Sequence, residues 1–427
     1  MQISRHDHRV LYDFYRQCQA STEPVLDLEG ARYKIVRHHD GDFTVIQLER
    51  AAKKLETFFN RAPATAGHAG TTIAAILNDP RKHADFQLPV DRHYQGICFS
   101  GGGAKGFGYL GIVDELGHEQ IRHVQQVSGA SAGALTAIAF AIGLSADELR
   151  AAFKDQPATL KQKVLEQSLR AKILYALKRA PYLTHLPDII GAQASDGDWD
   201  AKIESITFAQ LAALKDRVGD TPAAQGTLKA LFISASLIDK KHNLTSEVKL
   251  SSDTTPDMPI YKAGLASAAL PVLLKPVAAS LAEANLPPQF PNKNGMVKLR
   301  DGGIHNNLPF RYLTQAQSNL ILSFDGNERI HEKPLSFGEK IKQWLCDEPV
   351  YKRRRADHLL AERYGVHYLQ PEVALTDTKK ARANLAHISH RCARDFHYYR
   401  RQQSETPSVE MHDIAQEDLE LNRRKYG

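Results

Sequence analysis

Short apolar runs alternate with glycine-rich turns and longer amphipathic segments through the middle of the chain. Residues 96–100 and 124–128 are apolar runs, and the segments that begin at Phe107 and Ala132 carry the longer pattern. Apolar runs bounded by turn residues predict buried strands, whereas the longer segments predict helices. The same pattern predicts further strands at 228–234, 296–300 and 320–324 and further helices at 160–177 and 208–218. Such alternation is typical of an α/β layer structure with a largely parallel sheet.

The pattern changes on either side of this central part. Before it, the sequence predicts an α+β segment with helices at 7–20 and 49–60, strands at 33–36 and 43–48, and a linker at 62–72. After about residue 330 the pattern is mostly helical and basic, without glycine-rich loops. We therefore predict three regions: an N-terminal accessory region at 1–90, an α/β domain at 91–330 and a separate helical module at 331–427.

Composition agrees with an ordinary globular protein. The 427 residues are 42% hydrophobic and 24% charged, with a formal net charge of +6, which suits two or three folding units with substantial cores. The cysteines lie far apart and form no Cys-x-x-Cys pair; they are Cys18, Cys98, Cys346 and Cys392. A zinc site or a disulfide framework is therefore not expected.

The N-terminus does not resemble a secretory signal. Residues 1–13 carry histidine and arginine where a signal peptide has an apolar run of roughly 7 to 15 residues. Apolar stretches such as residues 132–144 are shorter than the ~20 residues that cross a bilayer. We therefore expect no signal peptide and only peripheral contact with membranes.

The first chemical motif is Gly129-Ala130-Ser131-Ala132-Gly133, between a strand-like run and an alanine-rich helical segment. In this context Gly-x-Ser-x-Gly is typical of a nucleophile elbow, a tight turn that lifts a serine hydroxyl to the edge of a sheet. The amides at the start of the following helix can stabilise a developing oxyanion. A small-residue helix start that packs closely on a strand is the structural alternative. Ser131 is the candidate nucleophile.

A glycine-rich loop, Ser100-Gly101-Gly102-Gly103-Ala104-Lys105-Gly106, follows the first predicted strand of the α/β domain. Its backbone N–H groups can hold an oxyanion or a phosphate, because few Cβ atoms obstruct them. The loop also matches Gly-x-Gly-x-x-Gly, but the acidic residue that a dinucleotide site needs ~20 positions later is missing. Gly-Lys-Ser/Thr, which a nucleoside triphosphate loop needs, is missing too. These failures favour the oxyanion interpretation.

The candidate oxyanion donors are therefore Gly101, Gly102, Gly103 and Ala132. Lys105 lies inside the loop, where it can contact a phosphate group or simply be solvated, as most lysines are.

The third motif, Asp301-Gly302-Gly303, ends the strand predicted at 296–300. An aspartate at a strand end before two glycines projects into a crevice. A carboxylate in that position can take the serine proton directly, without a histidine. Asp-Gly-Gly is also common as an ordinary turn. Asp301 is thus the candidate base because of the motifs that accompany it.

Together these blocks resemble the patatin-like phospholipase family, which combines a glycine-rich oxyanion loop, Gly-x-Ser-x-Gly and a later Asp-Gly-Gly or Asp-Gly-Ala. The resemblance covers about residues 96–326 and includes Ala266-Ser267-Ala268-Ala269-Leu270-Pro271 and Asn307-Leu308-Pro309. Leu308 departs from the family pattern, in which many members have Asn directly before Pro. The resemblance implies a three-layer α/β fold with helices on both faces of the sheet.

The resemblance also implies a lipid acyl hydrolase of the phospholipase A or lysophospholipase type. In such an enzyme Ser131 attacks an acyl ester, Asp301 acts as the general base, and water hydrolyses the acyl-enzyme without a metal or another cofactor. A Ser-Asp-His triad stays open as an alternative, because histidines follow Asp301 in the sequence: His305, His331, His358 and His367. A membrane- or host-protein-binding module on an inactive hydrolase scaffold is a second alternative.

Basic residues concentrate near the C-terminus, where one acid, Asp395, accompanies seven bases: Lys379, Lys380, Arg382, Arg391, Arg394, Arg400 and Arg401. Aromatic residues lie among them, and a second basic cluster at 352–355 follows Trp344 and Tyr351. Such a face suits an anionic membrane, although a solvated helix face has the same pattern. The four arginines from Arg391 to Arg401 are candidate membrane-binding residues. No other feature supports nucleic acid binding.

The three-region layout resembles bacterial effector phospholipases of the exoenzyme U type. This resemblance implies export and chaperone binding by the N-terminal region, membrane targeting by the C-terminal region, and activation by a host protein such as ubiquitin. The protein is then expected in the bacterial cytoplasm before export, and peripheral to membranes in a host cell. Only the central motifs carry this kinship at the level of residues.

Overall fold

The structure of the protein is a computed structural model. It describes residues 25–28, 31–37, 43–48, 94–154, 161–218, 227–239, 244–271, 273–286, 295–314, 318–324, 361, 366–369, 371–374 and 376–405. The helices predicted at 7–20 and 49–60, the linker at 62–72 and the basic cluster at 352–355 lie outside these residues.

The strands of the described residues are β1 (Val25–Leu28), β2 (Ala31–Arg37), β3 (Phe43–Leu48), β4 (Gly96–Phe99), β5 (Gln126–Ala130), β6 (Ala230–Asp239), β7 (Leu244–Leu250), β8 (Val277–Ser280), β9 (Met296–Asp301), β10 (Asn319–Ser323) and β11 (Val366–Tyr368).

The α-helices of the same residues are α1 (Tyr109–His123), α2 (Ala132–Ala141), α3 (Ala146–Lys154), α4 (Gln162–Leu177), α5 (Ala180–Leu183), α6 (Leu186–Ile190), α7 (Trp199–Glu204), α8 (Phe208–Val218), α9 (Ile260–Ser267), α10 (Thr378–Ala383) and α11 (Leu385–Glu405). None of them is both long and apolar enough to cross a membrane.

The main sheet has eight described strands in the order β11-β10-β4-β5-β6-β9-β8, with β7 paired to β6. Neighbouring strands from β11 to β6 are parallel, whereas β7, β8 and β9 pair antiparallel. Helices cover both faces, so the fold is the three-layer α/β structure expected from the sequence. Parallel strands place their carboxyl ends at one edge, which is where α/β proteins build their sites.

Helix α2 occupies the centre of this fold. It packs on β4, β5 and β6, and all of its residues from Gly133 to Ala141 except Leu135 are buried. A helix that is apolar on all sides is stable only when it is buried on all sides, and the small residues of α2 allow close contact with the sheet. The position of α2 fixes the residue immediately before it, Ser131.

The predicted N-terminal strands at 33–36 and 43–48 are observed as β2 and β3. With β1 they form a separate three-stranded antiparallel sheet in the order β1-β2-β3. The described residues within Met1–Asp91 and Arg394–Ser408 form one compact unit, and those within Arg92–Ala393 form the other.

The predicted boundary at residue 330 is wrong for part of the C-terminal region. Strand β11 pairs in parallel with β10 and so extends the main sheet. The first half of α11 packs against α1, because a Cβ atom at Gly111 would overlap Ser389 O, and Ser389 Oγ donates to Asp114 Oδ2 at 3.2 Å. Sequence periodicity missed β11 because three residues are too few to show a period.

Candidate active site

Ser131 occupies a sharp turn between β5 and α2. Its backbone has φ 52° and ψ −123°, and a non-glycine residue at positive φ outside the regular regions costs about 1–3 kcal/mol. The strain is maintained by the strand and the helix on either side. This is the geometry of a nucleophile elbow, which exposes the serine side chain at the carboxyl edge of the sheet.

The two glycines of the motif allow the turn to form. A Cβ atom at Gly133 would overlap the carbonyl oxygen of Phe99 on the neighbouring strand, and one at Gly129 would overlap the carbonyl of Gly133. Both positions therefore need glycine for close approach of backbone to backbone. The Gly-x-Ser-x-Gly spacing is thus explained by packing around the serine.

A second serine holds the elbow in place. Ser131 N–H donates to Ser267 Oγ at 2.9 Å, and Ser267 Oγ donates to Ser234 O on β6 at 2.6 Å. Ser267 is completely buried at the end of α9. The sequence block around 266–271 pointed to this region, but sequence reasoning assigned Ser267 no role, because its partners are distant in the chain.

Asp301 contacts the serine hydroxyl directly. Ser131 Oγ donates to Asp301 Oδ2 at 2.6 Å, and Gly303 N–H donates to Asp301 Oδ1 at 2.7 Å. Asp301 is only 2% exposed. The hydrogen bond from the backbone amide of Gly303 fixes the orientation of the carboxyl group. The carboxylate thus takes the place that a triad histidine would have beside the hydroxyl.

Within the described residues no histidine is hydrogen-bonded to Ser131. His305 is buried in the segment that follows Asp301, and His367 lies on β11. His331 and His358 fall outside the description. The direct Ser131–Asp301 contact therefore gives the triad alternative no geometric support.

The glycine-rich loop is held by the segment after Asp301. Gly101 N–H donates to Asn307 O at 3.0 Å, and Asn307 Nδ2 donates to Gly101 O at 3.2 Å. The prediction of Gly101 as an oxyanion donor is thereby corrected, because its amide already has an acceptor. Gly101 and Asn307 position the loop instead.

Three predicted donors keep their amides available. Within the described part of the chain, no acceptor is found for the N–H groups of Gly102, Gly103 and Ala132. Gly103 has φ 54°, a backbone conformation that residues other than glycine rarely adopt. Gly103 and Ala132 line the same cavity as Ser131. The arrangement matches an oxyanion hole beside the nucleophile.

The loop continues into a 3-10 turn, Gly103–Gly108, before α1. Lys105 lies in this turn, partly exposed, and its backbone N–H donates to Gly102 O at 3.0 Å. Tyr109 OH donates to Ser100 O at 2.6 Å, and its ring packs 4.8 Å from that of Phe324 and 5.0 Å from that of Phe99. These aromatic contacts fix both ends of the loop.

A polar cluster supports the turn after Asp301. Asn306 Nδ2 donates to Glu247 Oε1 at 2.7 Å, and Tyr312 OH donates to the same carboxylate oxygen. Burial raises the pKa of Tyr312 well above its usual value, and the nearby Glu247 charge raises it further. Tyr312 therefore stays a protonated donor at neutral pH. Sequence reasoning missed this cluster, since its members come from β7 and two later turns.

An apolar cavity opens at Ser131. Its wall is formed by α2, α3, α4 and the segment after α9, and it includes Leu135, Ala139, Leu149, Phe153, Leu165, Leu169, Leu270, Leu273 and Leu274. Few polar side chains line this wall. Among them, Lys172 Nζ donates to Ser168 Oγ at 2.7 Å, and Thr378 is the residue that the C-terminal region contributes. Such a cavity suits a long apolar group attached to a polar reacting atom.

The predicted membrane-binding arginines do not form one exposed surface. Arg391 is paired with Glu372 at 2.5 Å and is 19% exposed, and Arg400 is 8% exposed with its guanidinium 5.9 Å from the Phe396 ring. The expectation for Arg400 is thus corrected by its burial. Arg394 is partly buried, and the side chain of Arg401 is not described.

Solved structures with similar chains include bacterial effectors. VipD from Legionella pneumophila is 17% identical over 87% of this chain and 69% of its own, with a TM-score of 0.42. The type III effector ExoU is 18% identical over 88% of this chain and 57% of its own, with a TM-score of 0.37. ExoU from Pseudomonas aeruginosa in complex with SpcU is 18% identical over 73% and 53%, with a TM-score of 0.39.

The chain therefore spans little more than half the length of the ExoU chains it matches. No curated protein sequence matches it significantly. The family model described as patatin-like phospholipase matches residues 97–314, half of the chain, and this range contains the glycine-rich loop, the elbow serine and the Asp-Gly-Gly turn. The chain belongs to the patatin-like phospholipase family.

Proposed function

We propose that the protein hydrolyses fatty-acyl ester bonds of phospholipids or lysophospholipids through a Ser131–Asp301 dyad. The observation that carries this proposal is the 2.6 Å hydrogen bond from Ser131 Oγ to Asp301 Oδ2. Membership of a phospholipase family supports a lipid ester as the substrate. The apolar cavity at Ser131 supports an acyl chain as the group that is bound.

In the acylation step Ser131 Oγ attacks the ester carbonyl carbon while its proton passes to Asp301. The negative charge that develops on the carbonyl oxygen is stabilised by the amides of Gly102, Gly103 and Ala132. The ester C–O bond then breaks, and the departing alcohol oxygen takes the proton from Asp301. The acyl group is left on Ser131 with its chain in the cavity.

In the second step a water molecule attacks the acyl-enzyme. Asp301 accepts the proton of this water, and the same amides stabilise the second oxyanion. Collapse of the intermediate releases the fatty acid and returns the proton to Ser131 Oγ. The cycle is balanced without a metal or an organic cofactor, so we expect activity in the presence of EDTA.

Substitution of either dyad residue tests the mechanism. Ser131→Ala is expected to reduce fatty-acid release to background, and Asp301→Asn to reduce it by at least about 100-fold, because general base catalysis contributes roughly 10²–10⁴. Labelling by a serine-directed fluorophosphonate should map to Ser131 and be slowed in Asp301→Asn. Asp188→Asn, which alters a 69% exposed side chain, is the matched control.

Retained activity in folded Ser131→Ala or Asp301→Asn would contradict the dyad. The assay uses phospholipid vesicles with and without eukaryotic cell lysate or purified ubiquitin, since a host activator is expected from the resemblance to exoenzyme U. Hydrolysis under neither condition, in a protein that still binds the vesicles, would favour the inactive binding scaffold.

We also propose an exported role for the chain, with an export chaperone as partner. The sequence resemblance to effector phospholipases supports it. Detection of the tagged protein in host-cell fractions, dependent on a secretion system of the producing bacterium, is the measurement that checks it.

A further inference from the structure

The short helix α10 forms part of the mouth of the Ser131 cavity. Its first residue, Thr378, lines the cavity together with Gly103 and Ala104, and the helix packs beside the 3-10 turn Gly103–Gly108. Asp377 caps the helix by accepting a hydrogen bond from Lys380 N–H at 2.9 Å. The helix is thus fixed next to the oxyanion loop.

The exposed side of this helix is strongly basic. Lys379, Lys380 and Arg382 are all exposed, and within the described residues none of them has an ion-pair partner. Lys105, partly exposed, lies on the adjoining turn. The helix and the turn that border the cavity therefore carry exposed positive charges without an ion-pair partner among the described residues, and these charges can meet an anion.

Another part of the same mouth is apolar. Leu273 lines the cavity and is 48% exposed, and Leu270 and Leu274 line it as well. Leu273 thus continues the apolar lining of the cavity to the protein surface, where it can contact the apolar part of a bilayer. Basic and apolar groups around one opening are the combination by which proteins bind the interface of an anionic bilayer.

We propose that this rim docks the cavity mouth onto the surface of bilayers that contain anionic phospholipid. The rim comprises Lys105, Leu273, Lys379, Lys380 and Arg382. The basic edge lies against the phosphate headgroups and Leu273 enters the acyl region, so that an ester bond reaches Ser131 without full extraction of the lipid. This proposal rests on the proposed function. It adds how the enzyme is oriented on the membrane and that the membrane surface carries negative charge.

Vesicle binding by the full-length chain tests the docking. Proteins in a Ser131→Ala background are sedimented with phosphatidylcholine vesicles that contain or lack phosphatidylglycerol. Each basic residue near an anionic surface strengthens binding by about fivefold, so Lys379→Glu/Lys380→Glu should lose at least about tenfold in affinity for the anionic vesicles. Leu273→Ser should weaken binding to both kinds of vesicle.

The matched control is Lys202→Glu/Arg217→Glu, which makes the same change in net charge on α7 and α8, helices that do not line the cavity. Equal loss in this control and in the α10 variant would overturn the rim as the docking surface. So would unchanged binding of the α10 variant to anionic vesicles.

Hydrolysis separates docking from catalysis. In proteins with Ser131 intact, the ratio of anionic-vesicle hydrolysis to hydrolysis of a short soluble ester should fall by at least about tenfold in Lys379→Glu/Lys380→Glu. An unchanged ratio would contradict the inference. Failure of the wild-type chain to cleave either substrate, together with normal vesicle binding, would instead count against the proposed function.

Discussion

Ser267 links the strained Ser131 turn to the sheet. Its hydroxyl accepts from Ser131 N–H and donates to Ser234 O, so it spans the elbow and β6 with a single side chain. The bond also removes Ser131 N–H from the set of possible oxyanion donors. In the proposed mechanism Ser267 is therefore a positioning residue, which acts only through Ser131.

Ser267→Ala should lower kcat by about tenfold with little change in KM. The substitution removes a buried hydrogen bond, a loss of about 1–3 kcal/mol, and Ser131 is then held less firmly in its position. The rate of fluorophosphonate labelling at Ser131 should fall in parallel. Ser280→Ala, on β8, is a control that removes a serine hydroxyl that accepts a local hydrogen bond from Glu283 N–H at 3.1 Å. A change in melting temperature alone, with kcat preserved, would show that Ser267 only stabilises the fold.

At the scale of elements, α2 determines both the position of Ser131 and the direction of the cavity. Ser131, Leu135, Thr136 and Ala139 line the cavity, a spacing that places them along one side of the helix. Ala139 lies eight residues beyond Ser131, which is about 12 Å at 1.5 Å per residue. The cavity therefore extends along α2 away from Ser131.

Ala139→Phe should shorten the acyl chain that the enzyme accepts, since the added ring fills the far part of the cavity. We expect the ratio of kcat/KM for long-chain over short-chain esters to fall by at least about tenfold, a size typical of steric discrimination in apolar pockets. Ala151→Phe, on the exposed side of α3, is the control. Equal loss for short and long esters would mean that the acyl chain does not follow α2.

At the scale of the whole molecule, the C-terminal region belongs in part to the compact unit that contains Ser131. Strand β11 extends the sheet beside β10. A Cβ atom at Gly108, the last residue of the 3-10 turn, would lie 2.9 Å from Cys392 Sγ. Cys392, more than 280 positions later in the chain, thus packs directly against the turn that continues the glycine-rich loop.

Truncation after residue 330 should therefore destroy the catalytic unit rather than release it. Loss of β11 exposes β10 as an unpaired edge. Loss of α11 uncovers Gly108 at the end of the 3-10 turn and Gly111 on α1. We expect insoluble protein, or a soluble protein without Ser131 labelling by fluorophosphonate. A truncated chain that is labelled at the wild-type rate would contradict this role of the C-terminal region.

The sequence predicted the features that depend on neighbouring residues. Gly129 and Gly133 around Ser131, the glycines after Ser100 and the pair after Asp301 each specify a local turn, and each turn is found where it was expected. The strands predicted at 96–100, 124–128, 228–234, 296–300 and 320–324 are present, with ends shifted by a few residues. Turns and hydrophobic periodicity depend on residues that are adjacent in the chain, so they can be predicted without knowledge of the fold.

Tertiary structure alone decided which of these groups meet. Ser131 and Asp301 are separated by 170 residues, Gly101 and Asn307 by 206, and nothing local shows that Asn307 takes the amide of Gly101 or that Ser267 holds Ser131. The burial of Arg400 and the addition of β11 to the sheet were also invisible in the sequence pattern. Partners of this kind meet only when the sheet assembles and its carboxyl edge brings distant turns together. The sequence by itself thus named the candidate residues Ser131 and Asp301, and the folded chain determined how they are held.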